Sequence, residues 1–256
     1  MNVVLQRKWS GTPAVFLYTI FNRLLAGGGF FAYFCADENR RKGRWPKVAE
    51  IHLLSDGKLD AYQFAVLAAA VHPLLDYIHL REKRLSAREL LNMALILLHA
   101  GVPAAKLIIN DRLDVAMAAG AAGVQLAWNS LPVSAARLAA GSALRLGASV
   151  HSIEEIVEAG CQGADYCLFG HVFPTICKPG QKERGLTLLQ EAVLTGSVPI
   201  IALGGITPDN TPQVLQTGAG GIAVMSGICS ADDPLSAAQA YRNAVLGAAA
   251  KGGDTA

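Results

Sequence analysis

The sequence predicts a closed (β/α)8 TIM barrel, a single α/β domain carrying an N-terminal extension. Three observations carry that reading. The chain is 256 residues long, close to the roughly 250 residues of a typical barrel of this kind. Eight short apolar runs recur along it, each followed by a stretch with helical periodicity or turn residues. Strands alternating with helix-sized segments imply right-handed βαβ units and a parallel sheet.

The runs are taken in order. Val48–Ser55, Asp76–Arg81, Lys106–Asn110 and Gly123–Ala127 form the first half, and Ala143–Val150, Asp165–Gly170, Val198–Gly204 and Gly220–Ser226 the second. Between them Ala61–Val71, Ser86–Ala100 and Gly185–Thr195 read as helices. Ser86 followed by Glu89, and Ser152 followed by Glu155, are spaced as capping boxes, in which hydroxyl and carboxylate satisfy each other's backbone N–H. The barrel is expected over residues 48–247, with 248–256 as a flexible tail.

Residues 1–47 differ from the rest. They carry eight Lys/Arg against Asp37 and Glu38, whereas the remainder has fourteen against eighteen. Thr12–Ala36 has the length of a membrane span but is broken by Asn22, Arg23 and three glycines, and a basic run follows at Arg40–Arg44. An arginine near mid-span costs about 2.5–3.5 kcal/mol on insertion scales. The extension reads as a mobile arm or as residues ahead of the true start, with a membrane anchor as the competing reading. A mean hydropathy of +0.33 excludes a disordered chain. An acidic barrel-sized body excludes a nucleic-acid binder. Five cysteines with no CxxC pair argue against a disulfide scaffold and a structural zinc site.

Active sites of such barrels lie at the C-terminal strand ends, which selects the candidate residues. Tyr77, His79 and Arg81 share one face of the second strand, with Ile78 and Leu80 on the other. Arg81 therefore points into the mouth, followed by Glu82 and Lys83. The third strand ends in Asn110 and Asp111, the fifth delivers Ser149 and His151, and the sixth exits at His171. A desolvated histidine beside a bound anion suits proton transfer near neutral pH. His52, His72, His79 and His99 read as packing or surface residues, while His151 could be structural or functional. Gly204 and Gly205 follow the seventh strand, and Ser226 and Gly227 the eighth. Backbone amides there could hold a phosphate without a Cβ in the way. Thr175, Lys178 and Gly180–Arg184 form a polar loop long enough to close over a ligand, or simply a solvated one.

Phe169–Phe173, Thr175 and Lys178, together with Ile201–Gly205 and Gly221–Gly227, resemble the thiamine phosphate synthase superfamily. So do Ile78–Lys83 and Asn110–Asp114, and the likeness runs from about Glu50 to Val245. Within that superfamily, synthases join a pyrimidine diphosphate to a thiazole phosphate and need Mg²⁺ held by two aspartates. One corresponds to Asp111. The other falls in the stretch read here as Ala127-Trp128-Asn129-Ser130, and Ser130 brings no second anionic ligand. Synthases also usually carry proline at 171 and threonine at 177, where this chain has His171 and Cys177.

The histidine of Phe-Gly-His-Val-Phe and the Ser149–Ser152 stretch resemble the TenI branch, the thiazole tautomerases. That resemblance implies a cofactor-independent isomerase, with no metal, aromatising a carboxythiazole phosphate by proton transfer. His171 is then the principal proton-transfer residue and Glu82 its catalytic partner, unless Glu82 only pairs with Arg112. Arg81, Asn110, Thr175 and Lys178 would bind the substrate, with the amides of Gly204, Gly205, Ser226 and Gly227 on its phosphate. The alternatives are a thiamine phosphate synthase, or a regulatory protein that keeps the phosphate site. A cytoplasmic homo-oligomer acting on a small thiazole phosphate, without nucleic acid or membrane partners, completes the expectation.

Overall fold

Eight parallel strands close on themselves in chain order, each pairing with the next and the eighth with the first. They are β1 (Glu50–Leu54), β2 (Tyr77–Leu80), β3 (Leu107–Asn110), β4 (Gly123–Leu126), β5 (Arg145–Val150), β6 (Tyr166–Gly170), β7 (Ile200–Leu203) and β8 (Gly221–Val224). Every run anticipated as a strand contains one. This computed structural model describes residues 48–175, 180 and 182–252. The expected arm or anchor at 1–47 lies outside the described residues.

The helices are α1 (Ala61–Val71), α2 (Ala87–His99), α3 (Leu113–Ala118), α4 (Val133–Ala140), α5 (Ile153–Cys161), α6 (Gly185–Thr195), α7 (Thr211–Gln216), α8 (Ser226–Cys229) and α9 (Pro234–Gly252). Thus α9 runs past residue 247 into the segment expected as a tail. Among the described residues no helix is long and apolar enough to cross a membrane.

Local chemistry explains the helix starts. Ser86 and Glu89 form the anticipated reciprocal cap of α2. At α5 the expectation needs correcting. Ser152 accepts from Glu155 N at 3.3 Å, but the Glu155 carboxylate reaches back to His151 N instead of closing the box on Ser152. Asp60 and Gln63 make a full capping box on α1 that the sequence reading did not single out. A cap of this kind is worth about 1 kcal/mol.

Strand alternation divides the core into two layers. Outward residues such as Ile51, Leu53, Ile78, Leu80, Cys167 and Phe169 pack in the main core cluster with helix residues such as Phe64 and Leu97. Inside the barrel, Leu54, Tyr166, Leu168, Ile201 and Ala223 make a second, smaller cluster. The rest of the interior is not the usual stack of branched apolar side chains. Glu50, His52, His79, Gln125 and Arg145 share it, with His52 and His79 fully buried and Gln125 nearly so. Two loop carboxylates tie the opposite rim. Asp76 accepts from Ile51 N at 2.8 Å and from Arg242 at 2.9 Å, and Asp165 accepts from Leu146 N at 2.8 Å and from Arg137.

Candidate active site

Two neighbouring strand ends build the first part of the mouth. Ser55, buried just after β1, donates its hydroxyl to Glu82 Oε1 at 2.5 Å and accepts from Arg81 N at 2.8 Å. One hydroxyl thereby fixes the turn that presents Arg81 and Glu82. Burial raises the Glu82 pKa above the ordinary carboxylate value, and the Ser55 hydrogen bond partly offsets that rise. Arg112 does not pair with Glu82, because its guanidinium takes Asp114 through Nε at 2.9 Å. A cleft of about 770 Å³ opens here, lined by Asp56, Lys58, Arg81, Glu82, Lys83 and Arg84 among others.

The next two strand ends adjoin it. Asn110 ends β3 half-buried. Asp111 holds φ at 69° while its N–H donates to Gln125 O at 2.8 Å. That left-handed backbone is uncommon outside glycine, and aspartate tolerates it better than most. After β4 the chain turns back at once. Ser130 N donates to Ala127 O at 3.1 Å, and Ser130 Oγ accepts from Ala127 N at 2.9 Å. The Trp128 ring stands out on this turn, 87% exposed.

Across the barrel, His171 follows β6 and is buried. Val172 N donates to Leu203 O at 2.9 Å and Phe173 N to Gly204 O at 3.0 Å, so the segment runs along the end of β7. Gly204 and Gly205 are packed against His171, Phe173 and Pro174, with Thr175 next in the chain. Arg184, not singled out from sequence, donates from Nε to Gly170 O at 2.8 Å and from its backbone N to His171 O at 3.0 Å. Its signal was weak, one arginine in a polar loop. Ser226 and Gly227 open α8 directly after β8. The strand ends thus bring Arg81 and Glu82 together on one side, and His171 with Gly204 and Gly205 on another. Lys178 lies outside the described residues, as does Cys177.

Residues 51–228 match the family model described as thiamine monophosphate synthase. The chain belongs to this family. Among curated relatives of the thiamine monophosphate synthase family, the thiamine-phosphate synthase of Methanoculleus marisnigri is 42% identical over 179 residues, covering 69% of this chain and 85% of that protein. That of Chlorobium luteolum is 43% identical over 164 residues, covering 63% and 77%. Among solved structures, the thiamine phosphate pyrophosphorylase of Pyrococcus furiosus superposes with a TM-score of 0.67 at 32% identity, covering 79% of this chain and 97% of that one.

These relatives correct the isomerase expectation. At about 40% identity they are named synthases, which are transferases. The histidine at 171 had carried the isomerase reading. The side chain is buried where the end of β6 meets the Gly204 turn, a placement that does not by itself require proton transfer.

Proposed function

We propose that the chain is a transferase of thiamine biosynthesis that couples a pyrimidine diphosphate to a thiazole phosphate. Its identity of about 40% to proteins named thiamine-phosphate synthase, over most of their length, carries the reading. In the coupling, the bond between the pyrimidine methylene carbon and the diphosphate oxygen breaks. The thiazole ring nitrogen forms a bond to that carbon, and pyrophosphate leaves with the electron pair.

The residues of the mouth divide this work. Arg81 and Lys83, lining the cleft after β2, meet the negative charge that grows on the leaving diphosphate, as fixed cations do without reorganising. Amides at Gly204, Gly205, Ser226 and Gly227 hold the thiazole phosphate. Asn110 and Thr175 orient the rings, and Lys178, outside the described residues, is the further cation this reading assigns to the substrates. Glu82 holds the Arg81 turn through Ser55. His171 supports the glycine turn of β7.

The superfamily's magnesium pair does not fit this chain. Asp111 is present, but the second position is Ser130, whose hydroxyl is engaged by the Ala127 amide. Magnesium favours carboxylate oxygens, and among the described residues no cluster of three His, Cys, Asp or Glu side chains is placed to hold a metal. No step is therefore assigned to a metal. The same substitution favours a second reading, a barrel that binds the thiazole phosphate without coupling it.

One assay separates the two. Purified protein is mixed with both substrates, with and without Mg²⁺, and thiamine phosphate is quantified alongside pyrophosphate. Stoichiometric appearance of both products supports the transferase. Absence of product under both conditions overturns it, and thiazole phosphate binding would then support the second reading.

A further inference from the structure

The interior of the barrel below the mouth holds a chain of polar groups that the coupling reaction does not use. It begins at the N-terminal end of β1, where Glu50 accepts from Arg145 Nη2 at 2.9 Å. The same carboxylate oxygen lies 3.0 Å from His52 Nε2, and His52 Nδ1 lies 2.8 Å from His79 Nε2. At the other end Gln125 Nε2 donates to Ser149 Oγ at 3.0 Å, toward the mouth.

The donors and acceptors of this chain can be assigned. A carboxylate only accepts, so His52 carries its proton on Nε2. Burial keeps both imidazoles neutral by lowering their pKa values, His79 well below the ordinary value. His52 Nδ1 is then a bare lone pair, His79 Nε2 must donate to it, and His79 Nδ1 is left as a second bare lone pair. Gln125 presents its amide oxygen on the side away from Ser149.

Four buried atoms of this interior find no hydrogen-bond partner among the described residues: His79 Nδ1, Gln125 Oε1, Tyr166 Oη and Arg145 Nη1. They are grouped around the Tyr166 ring. The Arg145 guanidinium carbon stands 4.5 Å from its centroid, and the His79 ring meets it edge-on at 6.5 Å. Gln125 Oε1 and Tyr166 Oη lie 2.2 and 2.4 Å from the point where a Gly147 Cβ would stand. Glycine at 147 is what leaves these two groups their room.

An unsatisfied buried polar atom costs about 1–3 kcal/mol, so four such atoms around one ring ask for a ligand. Their chemistry selects it. A cation would want acceptors only and an anion donors only. Here two acceptors, the His79 lone pair and the Gln125 oxygen, stand with two donors, the Arg145 N–H and the Tyr166 hydroxyl. That is the complement of water, which gives two hydrogen bonds and takes two. We propose that the barrel interior is a binding site for ordered water, held by Tyr166, Gln125, His79 and Arg145. The water completes a hydrogen-bonded chain from Glu50 at the closed end to Ser149 at the mouth. It also fixes the Gln125 amide the right way round for Ser149.

The test is a high-resolution crystal structure of the full chain, with ¹⁵N NMR of its histidines as an independent measurement. The expected result is ordered solvent density within hydrogen-bonding distance of Tyr166 Oη and Gln125 Oε1, with both His52 and His79 protonated on Nε2. A dry interior in which Tyr166 bonds Gln125 directly, or density of a chloride ion, overturns the proposal. So does an Nδ1-protonated His79, which has no lone pair to offer there. In Tyr166→Phe the water beside Gln125 is expected to be lost. If that variant does not fold, the wild-type density and tautomers still decide.

Discussion

A Cβ on Gly204 would stand 2.5 Å from the Cβ of His171 and 2.8 Å from its Cα. The ends of β6 and β7 thus meet at the Cα and Cβ of His171, ahead of its imidazole. Gly204 also sits at φ 99°, a region L side chains rarely adopt. Gly204→Ala is therefore expected to destabilise the protein by about 1–3 kcal/mol, the usual scale of such strain. His171→Ala keeps its Cβ and Cα, so it should not relieve the clash. Urea denaturation of both single variants and the double variant checks this. Recovery of stability in the double variant would show that the ring, and not the backbone, sets the contact.

Ser130→Asp supplies the carboxylate that the turn after β4 lacks. An aspartate oxygen can accept from Ala127 N as Ser130 Oγ does, so the turn should survive. The variant is expected to bind Mg²⁺ at least about tenfold more tightly, on the scale by which losing a supporting partner weakens a metal site. Titrating Mg²⁺ while following thiamine phosphate formation reads this directly. Identical magnesium dependence in the two proteins would mean that a carboxylate at position 130 does not create a metal site with Asp111.

Much of this was legible in the sequence. Period-two alternation assigned Ile78 and Leu80 to the helix layer and His79 to the interior, because side-chain direction in a strand follows from parity alone. The strand-end placement of half-buried Arg81 followed from the same rule. What parity could not supply was register. His52 and His79 were read singly, as packing or surface residues, because nothing local says that β1 and β2 bring His52 Nδ1 within 2.8 Å of His79 Nε2. Ser55 was missed for the same reason, since its partner Glu82 is 27 residues away. The isomerase reading rested on residue types at 130, 171 and 177 and on the Ser149–Ser152 stretch, and type alone does not fix chemistry.

The buried imidazoles predict an acid-labile fold. His52 and His79 have pKa values lowered from 6.5, chiefly by burial. Below pH 6.5 the unfolded chain takes up protons that the folded chain refuses. Stability should therefore fall as pH drops from about 6.5 toward the lowered folded values, by up to about 1.4 kcal/mol per pH unit for each histidine. Glu50 acts lower on the scale. Its pKa is depressed from 4.5, so its contribution is present above that value and is lost only as pH falls through the folded pKa. Denaturant midpoints between pH 7.5 and pH 5 should decline in the wild type and decline less in His79→Gln. Equal slopes would exclude His79 as a titrating group.

Ser55→Ala separates the positioning of Arg81 from the charge of Glu82. The hydroxyl gives the Glu82 carboxylate a hydrogen bond that holds its pKa down against the burial that raises it. Without that donor the carboxylate is harder to form and the pKa climbs further. Hydrogen bonds to charged groups are among the stronger ones, so losing this donor moves the Glu82 pKa in the same upward direction as burial does. If the ionised carboxylate is needed to hold the mouth, the acid limb of kcat/KM against pH should move upward. The alkaline limb should stay where it is. Arg81 N loses its acceptor in the same variant, so KM for the pyrimidine diphosphate should rise at every pH. A raised KM with an unmoved acid limb would leave Ser55 as a support for the Arg81 turn and remove Glu82 ionisation from the reaction.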